Sequence, residues 1–331
     1  MIQTALFEVD TGPAALEDTD WIIVNHSGGK DSGALLVTVV RAARAAGVLH
    51  RVVVLHNPMG LYEWPGADEI AASHAAHYGL RYEERAADGD LLDQVRRRRM
   101  WMDALARYCT SWAKRSPGRR FVTELVNELG PLGRTAQVRY ALGMRAQESS
   151  GRAKLEPLAV DASHSSGVRT ITLWHPILHL TEAEVWDLHR TEGLPHHTAY
   201  DQAMSRLSCS LCVLASREDL VRACQLRPDL AQKYAAVEWE IGDSFKPKLS
   251  MIELIAEARN VRPDRDRVQV LRLRTAHNRG ARKLTRLAAK TSTVAEYERK
   301  ASAMRHDLLT LQSRMRAAGY DGALDDWSLT A

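Results

Sequence analysis

The stretch Trp21–Gly47, WIIVNHSGGKDSGALLVTVVRAARAAG, decides the fold. Trp21–Val24 is a short, β-branched run with the length of a buried strand. Ser27-Gly28-Gly29-Lys30-Asp31-Ser32 follows as a turn, and its paired glycines reach backbone angles that aim N–H groups inward as an anion nest. Beyond Ser32, residues Ala34, Leu35, Val37, Thr38, Val39 and Ala42 recur at helical spacing, and Gly47 suits the C-terminal cap. A loop of N–H groups continuous with a helix N-terminus predicts a phosphate site. Lys30 adds a mobile cation, and the Ser27 and Ser32 hydroxyls suit phosphate oxygens. Asp31 suits either Mg²⁺ or the helix cap. The spacing matches neither GxxxxGK[ST] nor GxGxxG.

The remaining chain fits around that unit. At 331 residues it allows one large domain with an appendage, or two domains. Hydrophobic content of 45% with 26% charged residues is that of a globular protein, and no long apolar window predicts a membrane span. Residues 1–20 read as a short strand and an acidic turn. Met1–Leu16 lacks a basic n-region, so a cytoplasmic setting is expected. Four cysteines in this length do not make a disulfide scaffold.

Arg51–His56 reads as a second parallel strand ended by Asn57-Pro58-Met59-Gly60, and Asp68–Tyr78 as an amphipathic helix. Strand and helix alternating in this way predict a doubly wound α/β parallel sheet, with ligands beyond the carboxyl ends of its strands. His56 is thereby placed toward a nucleotide base. Residues 91–117 read as mostly helical and basic, with Arg96–Arg99 in a row. Gln137–Leu142 reads as a strand running into Gly143–Arg152, whose Arg145 and Arg152 suit an anion. Ile171–Trp174 is a further strand, and Thr181 with Glu184 forms a capping box.

Cys209 and Cys212 form a Cys-x-x-Cys, which brings two thiolates within reach of one metal or of each other. Past Lys248 the pattern becomes helical. Residues 259–290 carry eleven Lys/Arg against Asp264 and Asp266, the electrostatic footprint expected for a nucleic-acid backbone, which Arg96–Arg99 and Arg119-Arg120 extend. A solvated helix pairing with Glu238, Glu240 and Asp243 is the competing reading. Val294, Tyr297, Ala301, Met304, Leu308, Leu311 and Met315 make an a/d-type seam for a helical hairpin or a homo-oligomer contact through 294–315.

Four motifs carry a family resemblance. SGGKDS looks like the SGGxDS PP-loop of ATP pyrophosphatases. Arg107-Tyr108-Cys109-Thr110 with Lys114 and Pro117 is similar to the RxCTxxxKxxP-like stretch of the phosphoadenosine phosphosulfate (PAPS) reductase family. Gly143–Arg152 resembles its GxRxxES-type turn, and Trp174–Trp186 its WHPILxxTExEVW pattern. The resemblance implies a Rossmann-like, adenine nucleotide alpha-hydrolase type domain over 1–205. A cysteine-containing helical segment over 206–250 and a basic all-helical appendage over 251–331 follow.

It also implies ATP with Mg²⁺, held by Ser27, Gly28, Gly29, Lys30, Asp31, Ser32, His56, Arg145, Glu148 and Ser149. Lys30, Asp31, Arg145 and Arg152 are the expected catalytic groups. In the PP-loop family the α-phosphate is attacked, giving an adenylated acceptor and pyrophosphate. Cluster-bearing relatives place cysteines near the Cys109 and Cys-x-x-Cys positions and differ in the fourth ligand, which makes Cys109, Cys209, Cys212 and Cys224 candidates for a [4Fe–4S] cluster. A structural zinc, a redox dithiol and buried free thiols stay open.

Two departures separate the chain from true sulfonucleotide reductases. Those enzymes carry a degenerate loop, whereas the full SGGKDS here argues for ATP. Their nucleophile lies in an ECGxH-like motif, and no cysteine follows Cys224 in these residues. The pattern is most similar to the branch that transfers sulfur to DNA in phosphorothioation, which implies a sulfur-donor protein and a nucleic-acid acceptor. A PAPS or adenylyl-sulfate reductase-like enzyme that borrows an external thiol, and a non-catalytic nucleotide-binding regulator, are the alternatives.

Overall fold

In the computed structural model, which describes residues 16–291 and 293–320, β1 (Trp21–Asn25) is a central strand covered on both faces. Its side chains alternate, as strand geometry requires. Ile22 and Val24 pack with Leu35, Leu36 and Val39 of α1 (Lys30–Ala45), while Ile23 packs with Phe121, Val122 and Leu125 on the opposite face. β2 (Val52–His56) repeats the division: Val52 and Val54 join the first cluster, Val53 and Leu55 the second. α2 (Ala67–His77), β3 (Arg81–Glu84) and α3 (Leu91–Arg98) follow.

α4 (Tyr108–Thr110) continues through a π-helical turn at Ser111–Arg115 into α5 (Ser116–Glu128), which supplies the second apolar face. β4 (Ala136–Ala141), β5 (Leu158–Val160), β6 (Arg169–Trp174) and α6 (Glu182–Glu192) complete this part. The six strands lie in the order β3-β2-β1-β4-β6-β5, all neighbours parallel except β5 against β6. The chain moves outward from β1 to β3 on one side, then crosses to β4 on the other, where β6 lies between β4 and the edge strand β5. The strand order therefore reverses between β1 and β4, where α/β sheets open a ligand crevice.

Two compact units result: Met1–Asp88 with Tyr108–Cys209, and Gly89–Arg107 with Ser210–Ala331. The expected boundary at 205/206 falls four residues short of this division, and Gly89–Arg107 joins the second unit. The short strand expected at the N-terminus falls largely on residues 1–15, outside the described residues. The helix expected over 91–117 is interrupted: α3 ends at Arg98 and Arg99 turns left-handed, at φ 51°. Arg96–Arg99 therefore do not share one helix.

The second unit is helical, with α7 (Arg217–Leu226), α8 (Pro228–Ile241), α9 (Met251–Ala258), α10 (Arg265–Lys290) and α11 (Val294–Ala317) joining α3. Trp101 stacks on Tyr234 at 5.2 Å and meets Phe245 edge-on. Asp243, 2% exposed, accepts from the Trp101 N–H at 3.3 Å, Arg279 Nε at 3.0 Å and Arg282 Nη2 at 3.4 Å. The a/d-type seam packs within the chain: α11 lies along α10, Ala301 is fully buried, and a Cβ on Gly280 would come within 2.9 Å of Leu308 Cδ2. Among the described residues no helix is long and apolar enough to cross a membrane.

Asp243 is the shared acceptor for one backbone amide and two guanidinium groups, so its removal leaves several donors unmatched. Asp243→Ala is expected to lower unfolding free energy by about 2 kcal/mol or more, read from urea denaturation. A loss under about 0.5 kcal/mol would contradict this role.

Candidate functional site

The turn between β1 and α1 is shaped by close backbone packing at Gly28. Gly28 sits at φ +73°, and a Cβ there would lie 2.3 Å from the Ala67 carbonyl oxygen at the start of α2. The Ser32 hydroxyl donates to the Gly29 carbonyl at 2.7 Å and accepts from the Ser27 N–H at 3.2 Å, closing the turn on itself. The two serines predicted to bind phosphate thus also set the loop's curvature. α1 begins without a side-chain cap, so its first amides need outside partners.

Lys30 is 3% exposed. Its Nζ donates to the Ser205 carbonyl at 3.0 Å, lies 3.4 Å from Glu182 Oε1 and 3.7 Å from Asp31 Oδ2, and stands 5.3 Å from the Tyr200 ring centre. A buried ammonium needs such matching. Asp31 Oδ1 accepts from Arg145 Nε at 2.6 Å, and Arg145, itself 5% exposed, also donates from Nη1 to Gln147 Oε1. The approach requires Gly143, where a Cβ would lie 3.1 Å from the Asp31 carbonyl oxygen. The structure therefore joins the first and second predicted clusters through the Asp31–Arg145 pair, across the strand-order reversal.

Glu148, Ser149 and Arg152 shape the turn around that pair. Glu148 Oε2 accepts from the Arg145 N–H at 2.9 Å and pairs with Arg152, while Ser149 Oγ accepts from the Arg152 N–H at 3.2 Å. His56 ends β2 at 1% exposure; it donates from Nδ1 to the His26 carbonyl at 2.8 Å, and its Nε2 faces Glu63 Oε2 at 3.2 Å. Burial opposes charge on His56, but the Glu63 hydrogen bond and charge outweigh it and hold its pKa above the ordinary imidazole value. Both ring nitrogens are engaged, so His56 braces the start of the loop.

Three histidines that no local sequence pattern marked form the loop's underside. His26 Nδ1 accepts from the Gly28 N–H at 3.1 Å, which leaves Nε2 to donate to His74 Nδ1 at 3.0 Å. His74 Nε2 then donates to the Pro195 carbonyl at 2.7 Å. His189 Nε2 donates to the Lys30 carbonyl at 2.8 Å, a contact possible because position 33 is glycine: a Cβ would lie 2.4 Å from His189 Cε1. Burial is the main force lowering all three pKa values, and for His26 the nearby His74, His56 and His189 add to it. The chain of neutral tautomers is fixed by its two ends.

None of the four cysteines is joined in a disulfide. Cys109 lies in α4, Cys209 ends the first unit in a bridge with Glu63, Cys212 belongs to the second unit, and Cys224 is buried in α7. Burial pushes the Cys224 thiol up to about 12. Among the described residues no group of three or more His, Cys, Asp or Glu side chains is disposed to hold a metal ion.

A mostly parallel sheet with a glycine-rich SGGKDS turn entering a helix at its strand-order reversal defines a PP-loop, Rossmann-type nucleotide-binding fold. The phosphoadenosine phosphosulfate reductase domain family matches residues 21–215, more than half of the chain, and the chain belongs to that family. An uncharacterized 37.8 kDa protein of Escherichia phage 186 is 33% identical over 98 residues; the match spans 30% of this chain and 28% of the phage protein's length. PAPS reductase from Candida auris is 15% identical over 57% of this chain and 80% of that one, at TM-score 0.37. The U34-tRNA thiolase NcsA from Methanococcus maripaludis, solved with its [4Fe–4S] cluster, is 16% identical over 76% of each chain, at TM-score 0.40.

An imidazole whose folded pKa lies below its unfolded one stabilises the fold above the unfolded value, and that contribution is lost as pH falls toward the folded value. For His74 the window runs from the ordinary 6.5 down to about 4. Its share is on the order of 3 kcal/mol across that window. Urea unfolding between pH 7.5 and 4.5 is expected to show stability falling with pH, with a shallower fall in His74→Asn. A variant that retains the wild-type slope would contradict the neutral-relay assignment.

Proposed function

We propose that the protein is an ATP pyrophosphatase of the PP-loop type, which adenylates an acceptor and releases pyrophosphate. The observation that supports this best is the complete SGGKDS turn, with Lys30 and the Asp31–Arg145 pair converging on the N-terminus of α1. The loop amides and the helix dipole would hold the pyrophosphate end of ATP. Lys30 would neutralise charge moving onto the leaving pyrophosphate, and Arg145 would follow the α-phosphate. Asp31, on release from Arg145, would take the nucleotide's Mg²⁺, which needs only one or two protein carboxylates. Arg152 stands by Glu148 as a further cation for the incoming acceptor.

The acceptor we propose is nucleic acid, with sulfur supplied by a donor protein, in a cytoplasmic setting. Much of the basic segment is already matched within the second unit: Arg267 with Asp264, Arg272 with Glu253, Arg279 and Arg282 with Asp243, and Arg96 with Glu240. Lys283, Arg286 and Lys290, by contrast, are exposed at successive turns of α10, a spacing that puts three cations along one helix face. Backbone phosphates fit that face better than stacked bases, since no aromatic residue interleaves with it. The four cysteines are candidates for sulfur or cluster chemistry.

Pyrophosphate release from ATP, assayed with and without DNA or RNA, tests the reading. Lys30→Ala is expected to cut release at least a hundredfold with the fold intact. Lys283, Arg286 and Lys290 changed together to Glu should remove only the stimulation by nucleic acid. Unchanged turnover in Lys30→Ala would withdraw the loop as the site, and a stimulation that survives the triple reversal would withdraw the α10 face.

A further inference from the structure

The donors that a phosphate would use are already occupied, and by one short stretch of the same unit. The first backbone amide of α1, that of Lys30, donates to the Tyr200 hydroxyl at 2.9 Å. The Lys30 ammonium donates to the Ser205 carbonyl at 3.0 Å. Leu207 lies against Gly29, its Cβ 3.2 Å and its carbonyl oxygen 3.5 Å from where a Cβ on that glycine would stand. The Tyr200 hydroxyl also bonds the Leu207 backbone, so the contacts reinforce one another.

The stretch is pinned at both ends and at buried Ala199 and Met204, and is exposed at the turn between those two. His197 accepts from the Ala199 N–H through Nδ1 and donates from Nε2 to the Pro65 carbonyl at 2.8 Å. At the other end Cys209 pairs with Glu63 in an isolated antiparallel bridge. Between these anchors Asp201, Gln202 and Ala203 are exposed, and Ala203 holds a left-handed φ of 64° that costs a non-glycine residue energy. The Tyr200 ring rests edge-on against Trp186 at 5.1 Å, an aromatic contact independent of its hydroxyl.

We propose that residues 198–208 form a displaceable strap, whose Tyr200 hydroxyl and Ser205 carbonyl occupy the phosphate donors of Lys30 until a nucleotide's phosphate chain expels them. The proposal rests on the loop being the phosphate site. With the strap closed, Lys30 is 3% exposed and its ammonium donates to the Ser205 carbonyl. A phosphate is a stronger, charged acceptor than a tyrosine hydroxyl or a carbonyl, so the exchange favours the ligand. Because the strap runs directly into Cys209, its displacement would carry nucleotide occupancy to the first thiol of the Cys-x-x-Cys.

The test uses the full chain with inorganic pyrophosphate as the probe. Tyr200→Phe keeps the ring on Trp186 and removes only the competing hydroxyl, so it is expected to bind pyrophosphate about five- to tenfold more tightly by calorimetry. In the wild type, saturating pyrophosphate is expected to speed tryptic cleavage at Arg206 as the strap lifts. Weaker or unchanged binding by Tyr200→Phe, or protection of Arg206 by pyrophosphate, would overturn the strap. If binding occurs and is lost in Lys30→Ala, such a result removes the strap alone. Absence of binding in both wild type and Tyr200→Phe removes the phosphate site and the strap together.

Discussion

A buried lysine ammonium and the uncapped first turn of a helix meet at the carboxyl edge of β1, and neither can stay there unmatched. The surrounding structure is arranged to match them. Glu182, Asp31 and the Ser205 carbonyl surround the Lys30 ammonium, and Tyr200 takes its amide. Arg145 comes from the other side of the strand-order reversal to hold Asp31. Beneath the loop, neutral histidines supply lone pairs and N–H groups where charge would be costly. In the proposed reading, a phosphate chain would take over the donors that these groups now match.

Much of this was legible in the sequence because it is local. A β-branched run, paired glycines and a helical period within Trp21–Gly47 specify strand, turn and helix without help from the rest of the chain. The second arginine cluster was legible for the same reason, as a turn directly after a strand. β3 was not: Arg81-Tyr82-Glu83-Glu84 is a charged edge strand, held by Arg81 with Glu128 and Arg85 with Glu124 rather than by apolar alternation. The histidine underside and Tyr200 were not legible either. His74 and His189 lie 48 and 115 positions apart from His26 and from each other, and Tyr200 is 170 residues from Lys30, so only the folded sheet brings them together.

The second unit shows how charge counting alone misleads. Eleven basic residues over 259–290 suggest a uniform binding face. Asp243 and Glu253 take up three of the guanidinium groups, and Arg274 donates to the Trp239 carbonyl, so part of that charge serves helix packing. The seam on α11 is likewise used inside the chain against α10. The exposed cations toward the C-terminal half of α10 form a smaller, better-defined face than the sequence implied.

We propose that the intact SGGKDS turn selects the triphosphate tail of ATP over a sulfonucleotide. Equilibrium binding of Mg-ATP and of PAPS to the wild type and to Lys30→Ala tests it most directly. ATP should bind at least tenfold more tightly than PAPS, and Lys30→Ala should erase that preference. Tighter binding of PAPS, unaffected by the loss of Lys30, would contradict the account.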